Sequence, residues 1–204
     1  IVQTLTQQTE LLRTMDRQMG AAALVDQVHA HLAHLQETLA FAVLPDARRP
    51  VALALAEAAS MAAWQALDAG AANRAWRHYE LAKSAAREAD SPLYLAHSMG
   101  EQAYVLADAG KPDLAAQLIA EAQRAGGKRS SPRLSAWLHA AQAELYALAG
   151  MGDDCRRALD RAHAALPAGP EDRDADLRGV FLNDGHLTRW RGHSLALLGD
   201  DHAT

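Results

Sequence analysis

Three observations predict an all-α protein. Of 204 residues, 47 are alanine, the best helix former and a poor strand residue, and only ten are aromatic. Apolar residues recur at helical spacing: the steps from Leu24 through Val28, Leu32 and Leu35 to Leu39 are four, four, three and four, which draws one stripe. Proline follows a capping residue at Ser91-Pro92 and Ser131-Pro132, where a helix should start.

In chain order, residues 1–18 form a first helix leading to Met19-Gly20, and a long second helix runs from Ala21 to about Leu44. Pro45-Asp46-Ala47-Arg48-Arg49-Pro50 separates it from the next helical stretch, so 1–44 read as linker and capping helices. The longest polar loop is Pro167 through Asp176. Its acidic run, Glu171 to Asp176, is mixed in sign and reads as a solvated linker.

The remainder repeats. Gly70, Gly110 and Gly150 are forty residues apart. Five positions after each stands a small residue (Ala75, Ala115, Cys155), and nine after it a large apolar one (Tyr79, Ile119, Leu159). Twelve after it is alanine (Ala82, Ala122, Ala162), and seven before it is alanine again (Ala63, Ala103, Ala143). Small residues at fixed places in paired helices let two backbones approach, the bulky one fills the gap, and the glycine supplies a left-handed C-cap. The copies cover about 50–90, 91–130 and 131–166, with an incomplete fourth at 177–204. In that copy Gly192 stands seven before Gly199. Its second helix should begin near Asp200, which predicts that the native protein continues past Thr204, as it must also precede Ile1.

The pattern Gly70, Ala75, Tyr79 and Ala82 resembles the tetratricopeptide repeat, with a period of forty in place of thirty-four and alanine at most first-helix aromatic positions. The resemblance implies a right-handed α-solenoid of degenerate helical hairpins, the first helix of each lining a concave groove. Carried over position by position, that lining is Glu57, Ser60, Trp64 and Asp68, then His97, Tyr104 and Asp108. Trp137, Ala140 and Glu144 follow, then His186, Arg189 and His193, with Trp190 between the two histidines. Aromatics with a few carboxylates and imidazoles suit a small-molecule or peptide site. Equally, the protein's own N-terminal helices could fill the groove, with the aromatics as core.

Other candidates read as ordinary. His29, His31 and His34 are spaced two, three and five apart, not the four that a zinc pair on a helix needs, and read as solvated polar faces. Cys155 fills a small-residue slot. As a single cysteine it excludes a disulfide framework and a cysteine-only metal site. Lys128 and Arg129, with Arg124 and Arg133, read as a solvent-facing basic turn. A net charge of −5 argues against a basic nucleic-acid face. No apolar run reaches the roughly 18–20 residues that span a bilayer, and no basic-then-apolar leader opens the chain, so a cytoplasmic location and no membrane partner are expected. No nucleophile, base and orienting group converge, so neither an enzyme nor a cofactor nor a metal is expected.

Leu12 through Gly20 (LRTMDRQMG) and Phe181 through His193 (FLNDGHLTRWRGH) are similar to segments in the C-terminal regions of Cro/repressor-type helix-turn-helix regulators of high-GC bacteria. That resemblance spans essentially the whole chain. It implies a ligand-sensing or dimerisation domain, a homodimer with a small-molecule or peptide effector, which touches DNA only through a separate upstream domain. The alternative is a tetratricopeptide scaffold that binds a partner protein or peptide.

Overall fold

The computed structural model describes residues 2–20, 23–169, 171–174 and 177–199. Among them the secondary structure is helical, with one isolated bridge, Arg173 to Phe181. The chain divides into two compact units, 1–98 and 99–204, each described by itself below.

The first unit holds α1 (Val2–Met19), α2 (Val25–Phe41), α3 (Pro45–Asp68), α4 (Ala72–Glu88) and the start of α5 (Pro92–Asp108). Leu5 and Leu12 of α1 and the stripe Val28, Leu32, Leu35 and Leu39 of α2 bury against Val51 and Leu55 of α3. The second helix is shorter at both ends than the sequence reading. Leu24 at its N-cap has a non-helical backbone (φ −118°, ψ 1°), with its side chain fully buried and its carbonyl already accepting from Val28 N at 2.9 Å. At the other end Leu44 precedes Pro45, and proline pushes its predecessor into extended backbone (φ −85°, ψ 136°).

Pro45 to Pro50 form no linker. Pro45 stands at the start of α3, where its missing N–H is no loss, and Pro50 lies inside the helix. Arg48 holds this segment in place. Its guanidinium donates to the Leu39 and Ala42 carbonyls at the end of α2, at 3.1 and 2.9 Å, and to Glu88 at the end of α4 through Nε at 2.7 Å. Cationic donors at free C-terminal carbonyls are well placed.

Buried residues make up fifteen of the 24 in α3, most of them alanine. By length and hydropathy α3 could cross a membrane, contrary to the sequence reading, but 83% of that apolar window is buried within the protein. It is a core helix, buried round most of its circumference, with Glu57, Ser60 and Gln65 as buried polar residues among the alanines.

His31 is also not a solvated residue. It is 2% exposed and its Nε2 lies 2.8 Å from Thr9 Oγ1 of α1, while burial and the neighbouring His34 depress its pKa.

The second unit contains the rest of α5, α6 (Pro112–Gly126), α7 (Pro132–Leu148), α8 (Gly152–Ala165) and α9 (Asp184–Leu197). A 3-10 turn, Gly127–Arg129, follows α6. Ser131 caps α7, its Oγ accepting from Leu134 N at 3.1 Å.

The loop after α8 is anchored, not a free linker. Arg133, 7% exposed, donates to the carbonyls of Leu182, Arg173 and Glu171 at 3.0, 2.8 and 2.7 Å. Asp174, 4% exposed, accepts from Ser131 Oγ and from Leu177 N. Arg133 therefore leaves the expected basic turn: loop carbonyls with no helix to pair them need donors, and a guanidinium supplies several.

The turns after α3, α5 and α7 are built alike. Gly70, Gly110 and Gly150 have φ of +70°, +71° and +72°. The N–H after each glycine (Ala71, Lys111, Met151) reaches back to Ala66, Leu106 and Tyr146 carbonyls at 2.8, 2.9 and 2.8 Å. This is the Schellman arrangement, which needs a left-handed residue. The nine further repeat residues after the glycines (Ala75 through Ala162) and the three alanines before them are all 0% or 1% exposed. Gly199 has φ +75°, while the helix expected from Asp200 lies outside the described residues.

Candidate functional site

In the second unit, three helices deliver one cluster. Trp137 and Glu144 are seven apart on α7 and so share a face, as do Trp190 and His193, three apart on α9, while Tyr104 comes from α5. They meet at the Glu144 carboxylate. Its Oε2 accepts from Tyr104 OH at 2.8 Å and from Trp190 Nε1 at 2.7 Å, and its Oε1 lies 3.2 Å from His193 Nε2. The Trp137 and Trp190 rings meet edge to face, with centroids 6.1 Å apart and planes at 70°.

Bonds to an ionised acceptor are the strong ones, which suits a carboxylate whose side chain is only 17% exposed. Burial, and then the Glu144 charge and hydrogen bond, hold the Tyr104 phenol well above the usual tyrosine range, so it stays a donor. His193 is 57% exposed and stands at the solvent edge. Chemically the cluster is an acceptor for a cation or hydrogen-bond donor, edged by two indoles.

Gly100, one turn before Tyr104 on α5, belongs to this arrangement and carries no signal in the repeat. A Cβ there would come within 2.8 Å of Leu138 Cδ2 and 2.9 Å of Trp137 Cζ3, so the bare backbone admits the Trp137 ring.

The remaining second-unit positions are peripheral. Asp108 and Arg189 are exposed, Ala140 is buried, and His186 is half-buried with Nδ1 lacking a partner among the described residues.

In the first unit the inward positions are mostly closed. Glu57 is 7% exposed and lies 3.1 Å from Arg13 Nη1 of α1, which packs over it. Ser60 is buried and bonded to Ser98 at 2.9 Å. His97 is 6% exposed, and Trp64 and Asp68 are exposed. At Glu57, then, the protein's own N-terminal helix occupies the position.

Cys155 is fully buried in its small-residue slot, and burial pushes its thiol up against the opposing pull of Arg156 and Arg191. Among the described residues, no three His, Cys, Asp or Glu gather as a metal set.

No family model and no curated protein matches the chain. The crystal structure of BtubC (BKLC) from P. vanneervenii is similar in fold, with a TM-score of 0.56, 17% identity, and coverage of 99% of this chain and 84% of that one.

Proposed function

We propose that this chain is the effector-binding and dimerising part of a bacterial transcription regulator, a right-handed solenoid of degenerate tetratricopeptide-like hairpins that reaches DNA only through a separate domain. The gathering of Tyr104, Trp190 and His193 around Glu144 carries the effector half of this reading. A ligand bearing a cation or an N–H donor would compete with the exposed His193 for Glu144 Oε1 and lie against the indoles. Trp190 and His193 are both on α9, so such a ligand would reset how α9 docks on α7. It can shift the population only through different affinities for the two docked states, typically about 1–3 kcal/mol of coupling.

Tryptophan fluorescence during titration with spermidine and argininamide tests the effector half. A saturable change that Glu144→Gln removes supports it, and no Glu144-dependent change overturns it. The coding sequence upstream of Ile1 tests the regulator half: without a helix-turn-helix fold there, that half fails.

A partner-binding scaffold is favoured by a different observation. Phe41, Val43 and Leu44 are 77%, 84% and 72% exposed between α2 and α3, an apolar group that a second chain could cover. Sedimentation of the wild type and of Phe41→Asp separates the cases. A dimer broken by the substitution makes this patch the homodimer contact of the first reading and removes its support for the scaffold. A monomer in both rejects the homodimer contact and leaves the patch to a different partner chain.

A further inference from the structure

A second constellation lies within the first unit, where α2, α3 and α4 enclose a small cleft. Val28 and Ala66 line it together with His29, Gln65, Arg74 and His78. Its free space of about 20 Å³ is room for one water-sized atom. The His29 and His78 rings stand 5.8 Å apart, centroid to centroid, tilted at 48°.

The polar lining is rich in donors. Arg74 offers only donors, each imidazole offers at least one N–H, and no carboxylate lines the cleft. Gln65 is 7% exposed, and its Nε2 has no hydrogen-bond partner among the described residues. A buried amide donor without an acceptor costs free energy, and one left in a native fold calls for an explanation. The positive field is felt locally: burial first, then His29, Arg74 and Arg77, depress the His78 pKa.

We infer that this cleft is an oxyanion site, binding one oxygen of a carboxylate or phosphate group between Gln65 Nε2, the two imidazoles and the Arg74 guanidinium. A negative ligand would satisfy the amide, offset the Arg74 charge, favour a proton on the His78 ring and accept the N–H bonds that a guanidinium offers. A divalent metal on the two imidazoles is disfavoured by the adjacent guanidinium. The site uses none of the residues around Glu144, so its failure leaves the effector reading standing.

The test is a nuclear magnetic resonance titration of the whole chain, following the His29 and His78 ring signals. Inorganic phosphate, acetate and an N-acetylated dialanine with a free C-terminus are added separately, with chloride at matched ionic strength as the control. A saturable shift of both rings is expected from at least one oxyanion, together with a rise in both imidazole pKa values. A response to phosphate alone identifies a phosphate group, and one to acetate and the peptide identifies a carboxylate. Arg74→Gln should weaken binding about tenfold while its circular dichroism melt stays that of the wild type, and Gln65→Leu supplies an independent second variant. Equal shifts with chloride, or full binding in both variants, would overturn the site.

Discussion

Trp190 Nε1 donates to Glu144 Oε2 at 2.7 Å, joining α9 to α7 across 46 positions of sequence. Tyr104 OH donates to the same oxygen at 2.8 Å from α5. One half-buried carboxylate oxygen thus serves two neutral donors from two other helices, and its loss would strand both.

The first prediction follows from that sharing. Glu144→Ala leaves an indole N–H and a phenol without their acceptor, and each stranded group costs about 1–3 kcal/mol. A loss of about 2–4 kcal/mol is expected in denaturant unfolding, with Glu144→Gln, which keeps one carbonyl oxygen, losing about half of that. Equal stability of Glu144→Ala and wild type would show that the cluster does not fasten the helices.

A second prediction concerns the turn between α4 and α5. Asp90 has φ +48°, and its turn has the same bonds as the three glycine turns: Asp90 N to Arg87 O at 3.0 Å and Ser91 N to Ala86 O at 2.9 Å. Left-handed backbone disfavours a side chain by about 1–2 kcal/mol, less for aspartate. Asp90→Gly should therefore raise stability by about 0.5 kcal/mol, whereas Gly110→Ala should lower it by about 1 kcal/mol. Thermal melts of the two variants give the sign directly, and destabilisation by Asp90→Gly would refute the argument.

What the sequence reveals depends on how local the cause is. Gly70, Gly110 and Gly150 are legible because a left-handed turn needs glycine whatever surrounds it, and the slots tied to them are buried as their spacing implies. The register also places Tyr104, Trp137, Glu144 and His193 at inward positions, and these meet around Trp190, which the register does not select; it selects the exposed Arg189 instead. Arg133 and Asp174 are illegible for the opposite reason, because the bonds that tie α7 to the loop, from Ser131 to Asp174 and from Arg133 to three carbonyls, span 38 to 49 positions. Pro50 misleads because a proline pair reads as a break, while the Arg48 bonds that hold the first turn of α3 appear only once α2 and α4 are in place. Gly100 is silent in sequence, since what demands it is the Trp137 ring of another helix.

A third prediction concerns acid. His31 is buried with its pKa depressed, so the unfolded chain takes up the proton first as pH falls below the ordinary imidazole value of about 6.5. The stability this residue contributes is present above that value and is lost as pH falls toward the folded one. The double variant Thr9→Val with His31→Leu replaces the 2.8 Å pair by apolar groups of similar shape. It should match the wild type near neutrality and lose less on acidification, because replacing both partners together leaves no stranded group. Urea midpoints on either side of pH about 6.5 decide it, and parallel acid loss in both proteins would exclude His31 as the cause.

The same reasoning at alkaline pH gives the opposite sign for Tyr104. Its phenol titrates well above the usual tyrosine value in the folded protein, because of burial first and the Glu144 charge second. The unfolded chain therefore releases the proton first, and the stability this group contributes is complete below pH about 10 and lost as pH rises beyond it. Tyr104→Phe removes both the titration and the 2.8 Å bond to Glu144. It should cost about 1–2 kcal/mol at neutral pH, since Trp190 still donates to the carboxylate. Above pH about 10 its stability should fall less steeply than that of the wild type, because the remaining tyrosines and lysines titrate alike in both chains. Denaturant midpoints measured through the alkaline range settle the point. If the two curves stay parallel, neither burial nor Glu144 holds the Tyr104 phenol in its protonated form.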